Sequence, residues 1–384
     1  MKTRTLGILA VIAGFLLLAG TRLYLGRAER LRADIPTLLY PGLIDRVDEI
    51  AHVRIVGPDG EFNIRRDDAG VWRLEEFGGY PSRTDYMRAA VLSLSDLTVL
   101  EGKTSKPENY AKLQVQDPGP DETSILIEMT DAEGQALVSI ILGGIENGLM
   151  PTEARRYVRL TDNPRVLYVD GRAEVASTPM QWIDRQILMI PRALTHEVAI
   201  RHPDGAIVRL VRPTPDADKF VLANMPAGAQ PRDDRDANLV GGAFIYVGLE
   251  EVAPMDTVDE SAVTPGPVAT LRTFDGYVMT ARLFDYQGQT WVRFEASVGE
   301  PVPGVIDQTG ADDGSADSSL WRTPEEIAAL VESENARLAP FRFRMLDAST
   351  EKFTTRPSDL YDAPAAGTDQ IGPQPDDATG AGDG

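Results

Sequence analysis

The chain reads as an α+β protein dominated by antiparallel sheet, with two tandem βββα-βββ repeats preceded by one transmembrane helix. Three observations predict this. Residues 6–25 form an apolar stretch long enough to span a bilayer. Downstream, short runs alternate apolar and polar residues, the period of half-buried strands. A strand, Pro-Asp-Gly, strand pattern beginning at Val53 returns at Val198.

Residues 1–5 are a short tail carrying Lys2 and Arg4. The run Leu-Gly-Ile-Leu-Ala-Val-Ile-Ala-Gly-Phe-Leu-Leu-Leu-Ala-Gly follows from Leu6 to Gly20, and continuation to Leu25 makes 20 residues. At about 1.5 Å each these cover roughly 30 Å of hydrocarbon. Arg22 can snorkel to the interface and Tyr24 suits the headgroup level. A cleaved signal peptide is the rival reading, but Arg22, Tyr24, Arg27 and Glu29 crowd the region where a small-x-small cleavage site would stand. After Leu17-Leu18-Ala19-Gly20 comes Thr21 rather than cysteine, which rules out lipid attachment there. Basic residues flank the run on both sides, so their count does not orient it. A short tail ahead of a single early span ordinarily stays in the cytoplasm, which places the bulk of the chain in the periplasm. Residues 26–44 read as a juxtamembrane linker.

The first repeat is expected over residues 45–190. Val53-Arg54-Ile55-Val56 runs into Pro58-Asp59-Gly60, a hairpin signal because glycine tolerates positive φ. Phe62-Asn63-Ile64-Arg65-Arg66 and Trp72-Arg73-Leu74 follow as strands. A helix comes next, with Asp85 as its candidate cap and Met87, Val91, Leu92 and Leu94 on its apolar side. Ile125 to Met129, Ala136 to Leu142, and Tyr157 to Leu160 complete the unit. A short amphipathic helix over residues 178–188, anchored by Trp182, joins the two repeats.

The second repeat is expected over residues 191–360. Val198-Ala199-Ile200-Arg201-His202 leads to Pro203-Asp204-Gly205, then Ala206 to Leu210 and Phe220-Val221-Leu222. Asp236 is the candidate cap of its helix. Ala269 to Phe274, Tyr277 to Leu283, and Trp291 to Phe294 mirror the later strands of the first repeat. Residues 299–319 form an acidic Gly/Asp/Pro/Ser loop. Thr323-Pro324-Glu325-Glu326 then starts a helix with threonine cap, proline in the first turn and glutamate three on. Phe341-Arg342-Phe343-Arg344-Met345 alternates as a strand. Residues 361–384 read as a disordered acidic tail.

A formal net charge of -21 over 384 residues opposes nucleic acid and anionic lipid as ligands of the soluble part. With no cysteine there are no disulfides, thiolate metal sites or cysteine nucleophiles. The three histidines, His52, His196 and His202, all stand in or beside strand-like runs, which argues against a histidine-rich metal centre. Gly143-Gly144 and Gly241-Gly242 lack the lysine or the context of a phosphate loop, and no Gly-x-Ser-x-Gly elbow occurs. Asp131 with Glu133, and Asp233 and Asp234 with Asp236, fit turns and caps better than a hydrolytic carboxylate pair. Asp307, Asp312, Asp313 and Asp317 do not have the spacing of a calcium loop. Trp72, Trp182 and Trp291 read as packing residues, whereas Trp321, just ahead of a helix, could stand exposed. No catalytic, cofactor-binding or metal residue is assigned, and the chain is expected not to be an enzyme.

Taken together, the anchor, the strand, Pro-Asp-Gly, strand, Trp72-Arg73-Leu74 opening, Leu142-Gly143-Gly144, Tyr157-Val158-Arg159-Leu160 and the stretch from Phe341 to Leu360 resemble domain-of-unknown-function family 4340. The likeness covers most of residues 45–360 and leaves out the acidic loop and tail. It implies an accessory part, outside the membrane, of gliding-motility-type ABC-transporter systems, with permease and ATPase subunits as partners. It carries no catalytic residues. The expectation is a single-pass inner-membrane protein acting as a non-enzymatic scaffold or accessory subunit. The alternative is a binding module for an envelope polymer or small solute.

Overall fold

The computed structural model describes residues 37–146, 154–303 and 321–362. The chain divides between Asp184 and Arg185 into two compact units. Both are sheet-rich, all strand pairings are antiparallel, and helices are few, as an α+β protein dominated by antiparallel sheet requires. The expected anchor at residues 6–25 lies outside the described residues. None of the described helices is long and apolar enough to cross a membrane.

Unit 1 opens with β1 (Thr37–Leu38), followed by β2 (His52–Gly57), β3 (Gly60–Arg66), β4 (Trp72–Leu74) and β5 (Tyr80–Pro81). Helix α1 (Thr84–Ser95) leads to β6 (Thr98–Gly102), and a crossover carries the one-turn α2 (Tyr110–Leu113). The strands β7 (Ile125–Thr130), β8 (Ala136–Ile145), β9 (Arg155–Leu160) and β10 (Val166–Asp170) follow. The ten strands make one sheet in the order β1-β6-β10-β9-β8-β7-β2-β3-β4-β5. Alternation decides its faces. Val53, Ile55, Ile64, Leu74, Ile127, Met129, Val138 and Ile140 point to one side and are fully buried. Met87, Ala90, Val91 and Leu94 of α1 are buried with them, as is Trp182. Trp182 stands edge-on to Tyr86 with ring centres 4.9 Å apart, and its Nε1 donates to the Ala176 carbonyl at 3.1 Å.

Unit 2 opens with β11 (Gln186–Leu188), then β12 (Thr195–Arg201), β13 (Ile207–Val211), β14 (Val221–Leu222) and β15 (Gln230–Pro231). Helix α3 (Asp234–Gly241) precedes β16 (Val247–Pro254), and the three long strands β17 (Thr264–Thr273), β18 (Tyr277–Tyr286) and β19 (Gln289–Val298) follow. After residue 303 the description resumes ahead of α4 (Pro324–Leu338), then β20 (Phe341–Met345), α5 (Asp347–Thr354), α6 (Pro357–Leu360) and β21 (Tyr361–Asp362). Nine strands form one sheet, β11-β16-β20-β19-β18-β17-β12-β13-β14, and β15 pairs with β21. Counting strands in chain order within each unit, the first nine positions of both sheets follow the same sequence of neighbours. On the inner face Phe353 of α5 meets Phe244 edge-on, ring centres 4.8 Å apart, and both are fully buried.

Several expected boundaries shift, each for a packing reason. Thr37 and Leu38, expected in the linker, pair with Val99 and Thr98, and Leu43 is buried. The amphipathic helix expected over residues 178–188 shrinks to a 3-10 turn, Pro179–Trp182. Ile183 then bridges to Ser82, and Gln186 to Leu188 turns outward to pair with Val247 and Gly248, so these residues belong to unit 2. After its helix unit 1 has five strands, β6 to β10, and unit 2 has six, β16 to β21, where three or more are expected. Helix α1 starts at Thr84 and α3 at Asp234, so Asp85 and Asp236 sit inside their helices rather than at the caps. Asp85 instead pairs with Arg83 at 2.6 Å. At α4 the threonine cap holds: Thr323 accepts from Glu326 N, and Glu326 accepts from Thr323 N. The start of the acidic loop is tied down, because Val302 N donates to the Phe274 carbonyl. Tyr361 and Asp362, expected in the tail, are the strand β21. Residues 304–320 and 363–384 of the loop and tail lie outside the described residues.

Candidate functional site

In unit 2 the register sorts side chains onto an outer sheet face. Arg282 stands opposite Arg293, Phe284 opposite Trp291, and Tyr286 opposite Gln289 along the β18–β19 ladder. Arg342 of β20 pairs with Ala253 of β16. The chain between β16 and β17 crosses this face and covers part of it. Phe284, Tyr286 and Trp291 are buried there in a small cluster of their own with Met255, Val258 and Val263. Arg342 clamps the crossover. Its guanidinium stacks 4.6 Å from the Trp291 ring centre and 5.2 Å from that of Tyr286, and its Nη1 donates to Thr257 Oγ1 at 3.1 Å.

Beside this cluster β17 departs from regular pairing. Pro265 pairs with Phe284 but Val268 with Arg282, so three steps along β17 match two along β18. The extra residue makes a bulge at Gly266-Pro267. Proline has no amide to give the ladder, and a Cβ on Gly266 would come within 3.0 Å of the Leu283 carbonyl oxygen. The lifted strand opens a cavity of about 310 Å³, lined by Arg282, Phe284 and Arg293 of the sheet face and by Met255, Glu260 and Val263 of the crossover.

The electrostatics of the cavity are set by two loosely paired arginines. Many arginines elsewhere pair closely, Arg54 with Glu61 at 2.8 Å, Arg65 with Glu75 at 2.7 Å and Arg209 with Glu197 at 2.7 Å, although Arg155 reaches Asp170 only at 3.7 Å. Arg282 reaches Glu295 only at 3.8 Å and Arg293 reaches Glu260 only at 3.7 Å, both beyond hydrogen-bonding distance. Two like charges directly opposite across a ladder repel. The two guanidiniums share one cavity wall and are about half exposed.

Unit 1 has a crossover on its own outer face, between β6 and β7. Tyr110, Val115 and Val166 form a buried cluster there, with Leu113 and Tyr157 packed on it. Arg159 lies 4.8 Å from the Tyr110 ring centre, donates from Nε to the Val115 carbonyl, and pairs with Asp117 at 2.5 Å. In sheet position β9 corresponds to β19, so Arg159 and Arg293 both meet a crossover from the same strand. In unit 1 the crossover packs on a buried cluster, and in unit 2 a cavity lies beside the corresponding cluster.

The residues singled out in the sequence do not converge. Asp131 spends its carboxylate on the Glu133 and Gln135 amides of its own turn. It lies with Asp48, Glu49, Asp67, Asp68 and Glu133 around an open, acidic pocket of about 560 Å³. Asp67 there accepts the Ala69 and Val71 amides and pairs with Arg73, whose hydrogen bond holds its carboxyl below the usual carboxylate range. Among the described residues no group of three or more His, Asp or Glu is placed to hold a metal ion. His52 meets Asn63 Oδ1 at 3.1 Å, His196 the Arg212 carbonyl at 2.8 Å, and His202 the Thr355 carbonyl at 3.0 Å, three separate structural contacts. Trp72, Trp182 and Trp291 are buried. Trp321 is half-buried and meets Phe274 edge-on at 6.3 Å. Asp233 precedes α3, and the calcium-loop candidates Asp307, Asp312, Asp313 and Asp317 lie outside the described residues. Arg282 and Arg293 were missed, because each alone reads as an ordinary outward position of an alternating strand.

Residues 72–238 match the family model described as Domain of unknown function (DUF4340). The matched segment runs from β4 of unit 1 to α3 of unit 2, so it crosses the boundary between the units. The DUF4340 match supports the family the sequence resembles and names no activity. No curated protein and no solved structure gives a match.

Proposed function

We propose that the chain is a membrane-anchored, extracytoplasmic scaffold or accessory subunit whose body is a tandem repeat of one sheet unit. The observation that carries this reading is the strand order, which runs through the same neighbours in both sheets. In both, a crossover is seated on the outer face against an arginine of the corresponding strand. Two related platforms on one tether suit docking, because a tether at residues 6–25 raises their effective concentration near membrane partners. Permease and ATPase subunits of an ABC-type transporter are the proposed partners. The test is crosslinking in intact cells followed by co-purification in mild detergent. Recovery with permease and ATPase subunits is expected, and recovery of the isolated chain alone would overturn it. Reporter fusions after residue 40 and at the C-terminus test the periplasmic placement.

A second reading, a binding module for a small solute, is favoured by one specific observation. The unit 2 crossover leaves a cavity with two loosely paired arginines.

A further inference from the structure

We infer that the bulge cavity of unit 2 binds a small amphiphilic organic anion, its carboxylate or phosphate head held between Arg282 and Arg293 and its hydrocarbon body laid against Met255, Val263 and Phe284. This rests on the second reading above and names the ligand class that reading leaves open. Size comes first: about 310 Å³ is at the small end of ligand sites, room for a short-chain solute and too little for a folded partner. Charge comes second. Arg282 and Arg293 are register partners on adjacent strands, a repulsive arrangement that a bound anion would relieve. Neither comes closer than 3.7 Å to a carboxylate, so their donors are available. The planar fork of a guanidinium matches carboxylate and phosphate oxygens in pairs, and two such forks on one wall suit one anionic head.

The third argument is the apolar part of the lining. Phe284 is 5 % exposed and belongs, with Met255 and Val263, to the apolar cluster under the crossover, so a ligand body would extend a surface that is already dry. Fourth, the bulge that makes the space is built from residues with few alternatives. A Cβ on Gly266 would press to 3.0 Å on the Leu283 carbonyl oxygen, and Pro267 cannot close the ladder with an amide. Glu260, on the crossover, also lines the cavity and is the built-in competitor of the anion, resting 3.7 Å from Arg293 until displaced.

The test is titration calorimetry on the full chain in phosphatidylcholine nanodiscs, with octanoate, octyl phosphate, octanol and inorganic phosphate as probes. Wild type and variants share one preparation, so partition of the probes into lipid cancels in the comparison. Octanoate and octyl phosphate are expected to bind one per chain, at least tenfold tighter than octanol or inorganic phosphate. R282A/R293A should weaken both by tenfold or more, and E260Q should tighten both about threefold. Met255→Ser should weaken octanoate and leave inorganic phosphate where it was. Both arginines are half exposed and mutually repulsive, so the melting temperature of R282A/R293A should match or exceed wild type, which separates lost binding from lost fold. Equal octanoate affinity in wild type and R282A/R293A would overturn the head site. Inorganic phosphate as tight as octanoate would overturn the amphiphile class while leaving solute binding standing. Silence from all four probes would overturn both.

Discussion

At the scale of single residues, two buried polar side chains carry more of the fold than their number suggests. Asp275 has a fully buried carboxylate that accepts from Arg322 Nε at 2.8 Å and Nη2 at 3.0 Å, and from Thr273 Oγ1 at 2.5 Å. Arg322 also stacks 5.1 Å from the Tyr277 ring centre, which pins the chain just ahead of α4. Removing one member of such a pair leaves a buried charge without compensation, so Arg322→Ala is expected to destabilise unit 2 by about 3–5 kcal/mol. Removing the charge as well, in D275N/R322A, should recover about half of that or more. Urea unfolding followed by tyrosine and tryptophan fluorescence measures both, and a double variant weaker than the single one would contradict the ion-pair account. In unit 1 the corresponding dependence is on Trp182, which has no exposed surface and one hydrogen bond from its indole. Trp182→Ala should cost about 3–5 kcal/mol through the cavity it leaves. Trp182→Phe should lose less, since it retains most of the ring volume. A thermal melt in which both variants behave like wild type would show that the site is not part of the core.

At the scale of elements, α4 does work that a strand does elsewhere in the sheet. β19 is ten residues long, but β20 meets it at one register position, Val292 with Phe343. Farther along β19 the exposed edge is completed by a side chain from α4. Asn335 accepts the Ala296 amide on Oδ1 at 2.8 Å and donates Nδ2 to the Ala296 carbonyl at 2.9 Å, imitating a strand partner. Asn335→Ala would leave both backbone groups without their partner and is expected to cost about 2–3 kcal/mol. Amide hydrogen exchange at Ala296 should accelerate in the variant, and protection unchanged from wild type would show that the side chain is dispensable. This element also shows what sequence could tell. The helix itself was legible from Thr323-Pro324-Glu325-Glu326, because caps are local chemistry. That Asn335 completes a strand 39 residues earlier was not, because it depends on where the helix comes to rest. Thirteen of the strands were legible by alternation and the first hairpin of each unit by Pro-Asp-Gly, while β1, β5, β11, β15 and β21, of two or three residues each, and the longer β6, β10 and β16 were missed. Two or three residues show no period, and only the neighbour they pair with makes them strands. The cavity was illegible for the same reason: the facing of Arg282 and Arg293 is a fact of register, and the opening beside them depends on a one-residue bulge.

At the scale of the whole molecule, the C-terminal stretch after β20 closes unit 2 by returning to its first hairpin. Phe353 is buried against Phe244, the His202 ring donates from Nε2 to the Thr355 carbonyl, and Arg356 reaches Asp204 in the β12–β13 turn at 2.7 Å. The hydrogen bond from Arg356 holds the Asp204 carboxyl below the usual carboxylate range, helped by the Ala206 amide. A folded-state pKa below the unfolded one means that the native state resists protonation. The contribution to stability is therefore present above the ordinary carboxylate value of about 3.9 and disappears as pH falls through the depressed one. The acidic chain adds a background, since protonating many carboxylates also relieves self-repulsion from a net charge of -21. That background is common to wild type and an Arg356→Ala variant, so their difference isolates the pair. The two melting curves of unit 2 should lie apart at pH 7, with the variant lower, and draw together as the pH falls below the ordinary carboxylate value of about 3.9 and Asp204 takes up its proton. The separation at pH 7 should be small, because both side chains are about half exposed and solvent screens them. It should shrink further in 1 M salt. A constant offset from pH 7 to pH 2 would mean that Arg356 acts through packing of its stem, and the electrostatic closure of the unit would then have to be abandoned.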